Sequence, residues 1–149
     1  MERRSLVKML GAAGAAATTA LVAGKASAQD KVTIALIPGL TADGFYVTMH
    51  KGAQAAAKAL GVDLIYQGAA EWNVSLQVPI LEAVIAKKPA AILIAPNDKV
   101  QMIEPLRKAH EAGIAVVCVD TFIGTGVFQT GAGDADFPIC YVASDNVLG

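Results

Sequence analysis

Ala90-Ala91-Ile92-Leu93-Ile94-Ala95 is an unbroken apolar run closed by Pro96, and Ile114-Ala115-Val116-Val117-Cys118-Val119 repeats the pattern downstream, closed by Asp120. A strand wet on one side alternates polar and apolar residues, whereas a strand covered on both faces loses that alternation. Both runs have lost it. Between them lie helix signals: Asp98 with Gln101 in the reciprocal position of a capping box, and Gly113 where a helix ends. Pro105 inside this segment predicts a kink or break. Strand, helix, strand in this order is the unit of a parallel sheet with right-handed crossovers.

The pattern continues in both directions. Upstream, Lys31–Ile37 reads as a strand ended by Pro38-Gly39. Phe45–Leu60 reads as a helix with Met49, Ala53, Ala56, Ala57 and Leu60 as its apolar stripe and Gly61 past its end. Val62–Tyr66 reads as a strand. Ser75–Lys87 reads as a helix with Val74, Val78, Leu81 and Ile85 on one face, and Pro79 predicts that it starts late or kinks. Downstream, a Gly-rich loop over Thr121–Pro138 leads to a fifth strand over Ile139–Ala143. The expected fold is α/β: a doubly wound, mostly parallel five-stranded sheet with helices on both faces. Ligands of such sheets bind beyond the carboxyl ends of the strands. Those ends carry Leu40–Tyr46, Gln67–Asn73, Pro96–Lys99 and Asp120–Asp136, where the polar and aromatic residues gather.

The 149 residues are 54% hydrophobic with a formal net charge of −1, which allows one packed domain. Outside the first residues there is no Lys/Arg cluster, which argues against a nucleic-acid partner. The N-terminus has the parts of an export leader. Arg3, Arg4 and Lys8 are its basic region, Met9–Gly24 is mildly apolar, and Ala26-Ser27-Ala28 supplies the small residues before a cleavage expected at Gln29. The Arg3-Arg4 pair resembles a twin-arginine signal, with Glu2 before it. Residues 1–28 are therefore expected to be a signal peptide and residues 29–149 the exported part. With no Cys at the cleavage point, no lipid anchor is expected.

Other chemistries lack their residues. The glycines at 124, 126, 131 and 133 precede a strand rather than join a strand to a helix, so they form no nucleotide fingerprint. His50 and His110 stand alone on predicted helices and read as surface residues. No nucleophile, base and orienting group come together, so no enzyme, cofactor or metal is expected. Cys118 and Cys140 fall on neighbouring predicted strands; export would permit a disulfide, but two buried free thiols are the expectation.

Several segments in order carry a family resemblance: Asp43-Gly44-Phe45-Tyr46, Lys51-Gly52-Ala53-Gln54-Ala55-Ala56-Ala57, Ala91-Ile92-Leu93-Ile94-Ala95-Pro96, Ala112-Gly113-Ile114-Ala115-Val116-Val117 with Asp120, and Ala143-Ser144-Asp145-Asn146-Val147-Leu148-Gly149. Together they resemble the type I periplasmic binding proteins of sugar ABC transporters, the ribose-binding-protein group. The resemblance implies two lobes joined by a hinge, of which this chain would form most of the N-terminal one, with Asp145-Asn146 near the first crossover. Repressors of the same fold carry a DNA-binding motif where this chain has its leader.

The resemblance also implies site residues. Phe45 and Tyr46 match an aromatic pair that stacks on the sugar, though either could instead pack into the core. Asp120 matches an Asp that accepts hydrogen bonds from sugar hydroxyls, a task for which a carboxylate is the stronger acceptor. Thr121 stands where ribose-type proteins have Arg, so the match does not extend to ribose itself. Ala95 replaces a family Asn, leaving Asn97 as the candidate in that loop. Asp43 is a candidate ligand group or a helix cap, and Trp72 a second stacking surface or a packing residue. The implied function is the substrate-binding component of a sugar or polyol ABC transporter. It would work as a monomer in the periplasm, with an inner-membrane ABC permease as partner. A periplasmic sensor for a chemoreceptor or histidine kinase, or an exported α/β enzyme, are the alternatives.

Overall fold

The computed structural model describes residues 31–145; the leader expected over residues 1–28 and the segment 146–149 lie outside them. Five strands, β1 (Thr33–Ile37), β2 (Asp63–Tyr66), β3 (Ala91–Ile94), β4 (Ala115–Val119) and β5 (Cys140–Val142), form one sheet in the order β2-β1-β3-β4-β5. Every neighbouring pair is parallel, with Leu36 opposite Tyr66 and Leu93, and Val119 opposite Val142. All carboxyl ends therefore point the same way, as the strand–helix alternation requires.

Helices fill the first three crossovers, α1 (Gly44–Leu60), α2 (Val74–Ile85) and α3 (Ile103–Glu111), and a loop without a helix makes the fourth, from β4 to β5. α1 packs near Leu36, Ala95 and Val119 through Tyr46, Met49 and Ala53. α2 and α3 cover the opposite face, where Leu81, Val84, Leu106 and Ala109 pack with Ile37, Ile92, Ile94, Val116 and Cys118. Helices thus lie on both faces, as expected of a doubly wound sheet.

The element ends show which local rule prevails. α1 starts on Asp43, whose carboxylate accepts from Phe45 N–H at 2.8 Å, and stops at Gly61 in the left-handed region at φ 68°. Leu60, expected in the apolar stripe, is 73% exposed, although it lines an apolar cavity with Ile34, Leu36, Leu64 and Leu93. α2 does not start late. Asn73 caps it by accepting from Ser75 N–H at 2.9 Å, and the helix continues through Pro79. The carbonyl that Pro79 cannot bond belongs to exposed Ser75, where solvent can take it. α3 is shorter than expected. Asp98 accepts from Val100 and Gln101 N–H as a cap would, yet the chain makes turns until Ile103. Starting there puts Pro105 in the first turn, where its missing N–H has no intrahelical partner to lose.

Cys118 and Cys140 are both free, but only Cys118 is buried. Val117 is the register partner of Cys140, so the two thiols point to opposite faces of the sheet and cannot bridge. Cys140 is exposed because β5 is an edge strand whose α1-side face has no helix over it among the described residues.

Candidate ligand-binding site

The loops after β1, β2, β3 and β4 meet at the carboxyl edge of the sheet. Thr41 N–H donates to the Ala69 carbonyl at 2.9 Å, tying the first two together. Thr121 Oγ1 donates to the Pro96 carbonyl at 2.9 Å, tying the last two. Trp72 Nε1–H donates to the Asn97 carbonyl at 3.1 Å and ties the second to the third.

Gly39 lets these loops close up. A Cβ there would stand 2.2 Å from the Trp72 ring and 2.6 Å from the Tyr46 hydroxyl oxygen, so only a bare backbone fits under the indole. The Trp72 ring lies over this backbone while remaining 46% exposed. It both packs on the neighbouring loop and offers a flat surface.

The aromatic pair at the start of α1 divides its roles. Tyr46 is 4% exposed and Phe45 49%, with ring centroids 5.3 Å apart and edge-on. The Tyr46 hydroxyl donates to Asp120 Oδ2 at 2.5 Å. Burial first, and then this carboxylate, push the Tyr46 hydroxyl pKa well above its ordinary value. Tyr46 is thus a core residue that fixes Asp120, and Phe45 is the free aromatic face. Asp43 spends one carboxylate oxygen on its capping bond.

Asp120 is held from three directions. Its N–H donates to the Val142 carbonyl at 2.8 Å, its own carbonyl accepts from the Tyr141 hydroxyl at 2.7 Å, and its carboxylate accepts from Tyr46. Its backbone is left-handed, at φ 63°, a conformation that Asp tolerates better than most residues. Asn97 is the opposite case. Both side-chain amide atoms are buried without a hydrogen-bond partner, an arrangement that costs free energy unless something fills it.

Trp72, Asn97, Asp120, Thr121 and Phe122 line one open cavity of about 350 Å³, with Lys99 at its wall. The structure brings Trp72, Asn97 and Asp120 together. Phe45, Tyr46 and Asp43 are not in its lining, and Tyr46 reaches it only through Asp120. A carboxylate acceptor, an amide with free donor and acceptor, and aromatic faces suit an uncharged, hydroxyl-rich molecule with apolar C–H surfaces. Sequence reasoning passed over Phe122, Gly39 and Gln77. For Gln77 a signal existed: it falls on the stripe of Val74, Val78 and Leu81, where a polar residue is out of place.

A family model described as a periplasmic binding protein domain matches residues 34–148. The chain belongs to the periplasmic binding protein domain family. This domain is similar to an ABC transporter solute binding protein from Agrobacterium vitis, solved with alpha-D-tagatopyranose bound. The two are 66% identical with a TM-score of 0.77, over 79% of this chain and 40% of that one. It is 35% identical over 107 residues to the D-ribose/D-allose-binding protein of Pseudomonas aeruginosa, covering 70% of this chain and 34% of that protein. The ribose import binding protein of Escherichia coli is 28% identical over 145 residues, covering 97% of this chain and 45% of that protein. The chain spans less than half the length of each of these relatives. Its fold is that of the type I periplasmic binding proteins.

Proposed function

We propose that this chain provides one wall of a monosaccharide site in the substrate-binding component of an ABC importer. The observation that carries this reading is the cavity shared by Trp72, Asn97 and Asp120, with an unpartnered buried amide beside a carboxylate held in place by Tyr46. Sugar hydroxyls would both donate to Asp120 and satisfy Asn97, and the rings of Trp72 and Phe122 in the cavity lining would meet the C–H faces. The Agrobacterium vitis relative, crystallised with a tagatopyranose, supports a six-carbon ring sugar. A second lobe closing over this wall would complete the site, since a hinge closes when ligand contacts both lobes only in the closed form. Residues 1–28 serve as the cleaved leader that delivers the protein to the periplasm, where an inner-membrane permease receives the sugar.

The test takes the product of the whole reading frame from periplasmic extract. Its N-terminus is expected to be Gln29, and calorimetry with D-tagatose, D-allose and D-ribose is expected to find a ligand. Asp120→Ala is expected to weaken that ligand at least tenfold. An intact Met1 would refute the leader. Unchanged affinity in Asp120→Ala would remove this cavity from the site.

A further inference from the structure

Gln77 is the one fully buried polar residue among the described residues, at 0% exposure in the first turns of α2. The reason lies in two prolines. The ladder between β1 and β3 is extended by the Ala95 N–H bond to the Ile37 carbonyl at 2.9 Å. Beyond it come Pro38 and Pro96, which have no N–H to continue the pairing. Both binding loops leave the sheet there, and a buried edge must find other partners for its backbone groups.

Gln77 supplies them. Its Nε2 donates to the Ala95 carbonyl at 2.8 Å and, more weakly, to the Pro38 carbonyl at 3.4 Å. Its Oε1 accepts from Asn97 N–H at 2.9 Å. A primary amide carries a donor and an acceptor side by side, as a peptide unit does, so Gln77 acts as one detached rung of the ladder. Asn97 in turn accepts the Trp72 indole N–H on its carbonyl. We infer that Gln77 is the positioning residue of the ligand site: from outside the cavity it fixes the Asn97 backbone, and through it the Trp72 ring. The inference rests on the sugar-site reading for its purpose, but its geometry can be tested without any sugar.

Trp72 is the one tryptophan of the 149 residues, so the emission of this chain reports its position. Gln77→Met keeps the length and removes both hydrogen-bonding functions. It is expected to shift Trp72 emission to longer wavelength and raise its quenching by acrylamide, with a native far-UV circular dichroism spectrum. Gln77→Glu restores the acceptor, but regains the donor only when protonated. Its emission is expected to be shifted at neutral pH and to return towards wild type on acidification, while the wild type stays constant over that range. Wild-type emission in both variants at all pH values would overturn the inference. Hydrogen exchange on the unaltered chain needs no variant: the Asn97 amide is expected to exchange slowly, and exchange at the rate of an open loop would equally overturn it. In the full reading-frame product, Gln77→Met is expected to weaken D-tagatose at least tenfold. If even the wild type binds no sugar, the functional reading fails while emission and exchange still decide the role of Gln77.

Discussion

On one face of the sheet, α2, α3 and Ile123 of the loop after β4 enclose Ile37, Ile92, Ile94, Val116 and Cys118 completely. On the other, among the described residues α1 alone stands over Leu36 and Val119, and Leu64, Leu93 and Val117 stay partly open. Edge residue Val142 on that side is 58% exposed. The strands supply equally apolar residues to both faces. What differs is the cover, so a strand's composition states how apolar its two surfaces are and not what closes each.

The contrast predicts unequal costs for the same truncation. Leu81→Ala, in the closed face, is expected to destabilise the domain by about 2–5 kcal/mol, and Leu93→Ala, in the open one, by roughly 1 kcal/mol, since a half-wet site loses less burial and leaves no sealed cavity. Equal losses in urea unfolding would break the comparison.

The thinner face also depends on a polar tie, the hydrogen bond from Tyr46 on α1 to Asp120 after β4. Tyr46→Phe is expected to cost about 1–2 kcal/mol, the scale of a hydrogen bond to a charged group that is partly solvated. It also changes the alkaline limb. The folded chain holds the Tyr46 proton more tightly than the unfolded one, so above about pH 10, where free tyrosine ionises, stability falls as pH rises. The Phe variant should show a shallower decline. Tyr66 and Tyr141, whose pKa values are also raised, chiefly by burial, will keep part of it.

The smallest expected effect involves the two thiols. Burial pushes the Cys118 thiol up to about 11, whereas Cys140 opens on the other side. At pH 8 a disulfide-exchange reagent should titrate one thiol in the native protein and two in denaturant. Two in the native state would mean that the closed face opens readily; none would mean that the open face is covered.

The sheet was legible because buried parallel strands announce themselves by lost alternation, and Pro38, Gly61, Pro96 and Gly113 punctuate them. The start of α3 was not, because Asp98 makes all the local bonds of a cap while Pro105 decides where the helix can run. Of the candidate site, Asp120 and Asn97 entered through the family resemblance and Trp72 through its place on a strand-end loop, and the three line one cavity. The division between Phe45 and Tyr46 was not legible, since both lie one turn before Met49 on a helix whose apolar stripe admits either. Only the partner at Asp120, distant in sequence, chooses Tyr46. Cys140 was misjudged for the reason that separates the two faces: β5 is apolar on a side that no described helix reaches.

The left-handed backbone of Asp120 bears on how this site can evolve. Most side chains are disfavoured at φ 63°, and a β-branched residue would be an outlier there. Mutational drift at this position is therefore channelled towards Asn and Gly, which share the conformation at little cost. Asn would exchange a pure acceptor for a mixed donor and acceptor, and Gly would leave space. In the proposed sugar site, altered ligand preference would then have to come from Thr121, Phe122 and Trp72, which carry no such backbone constraint, so a directed library would randomise those three and offer position 120 only three residues.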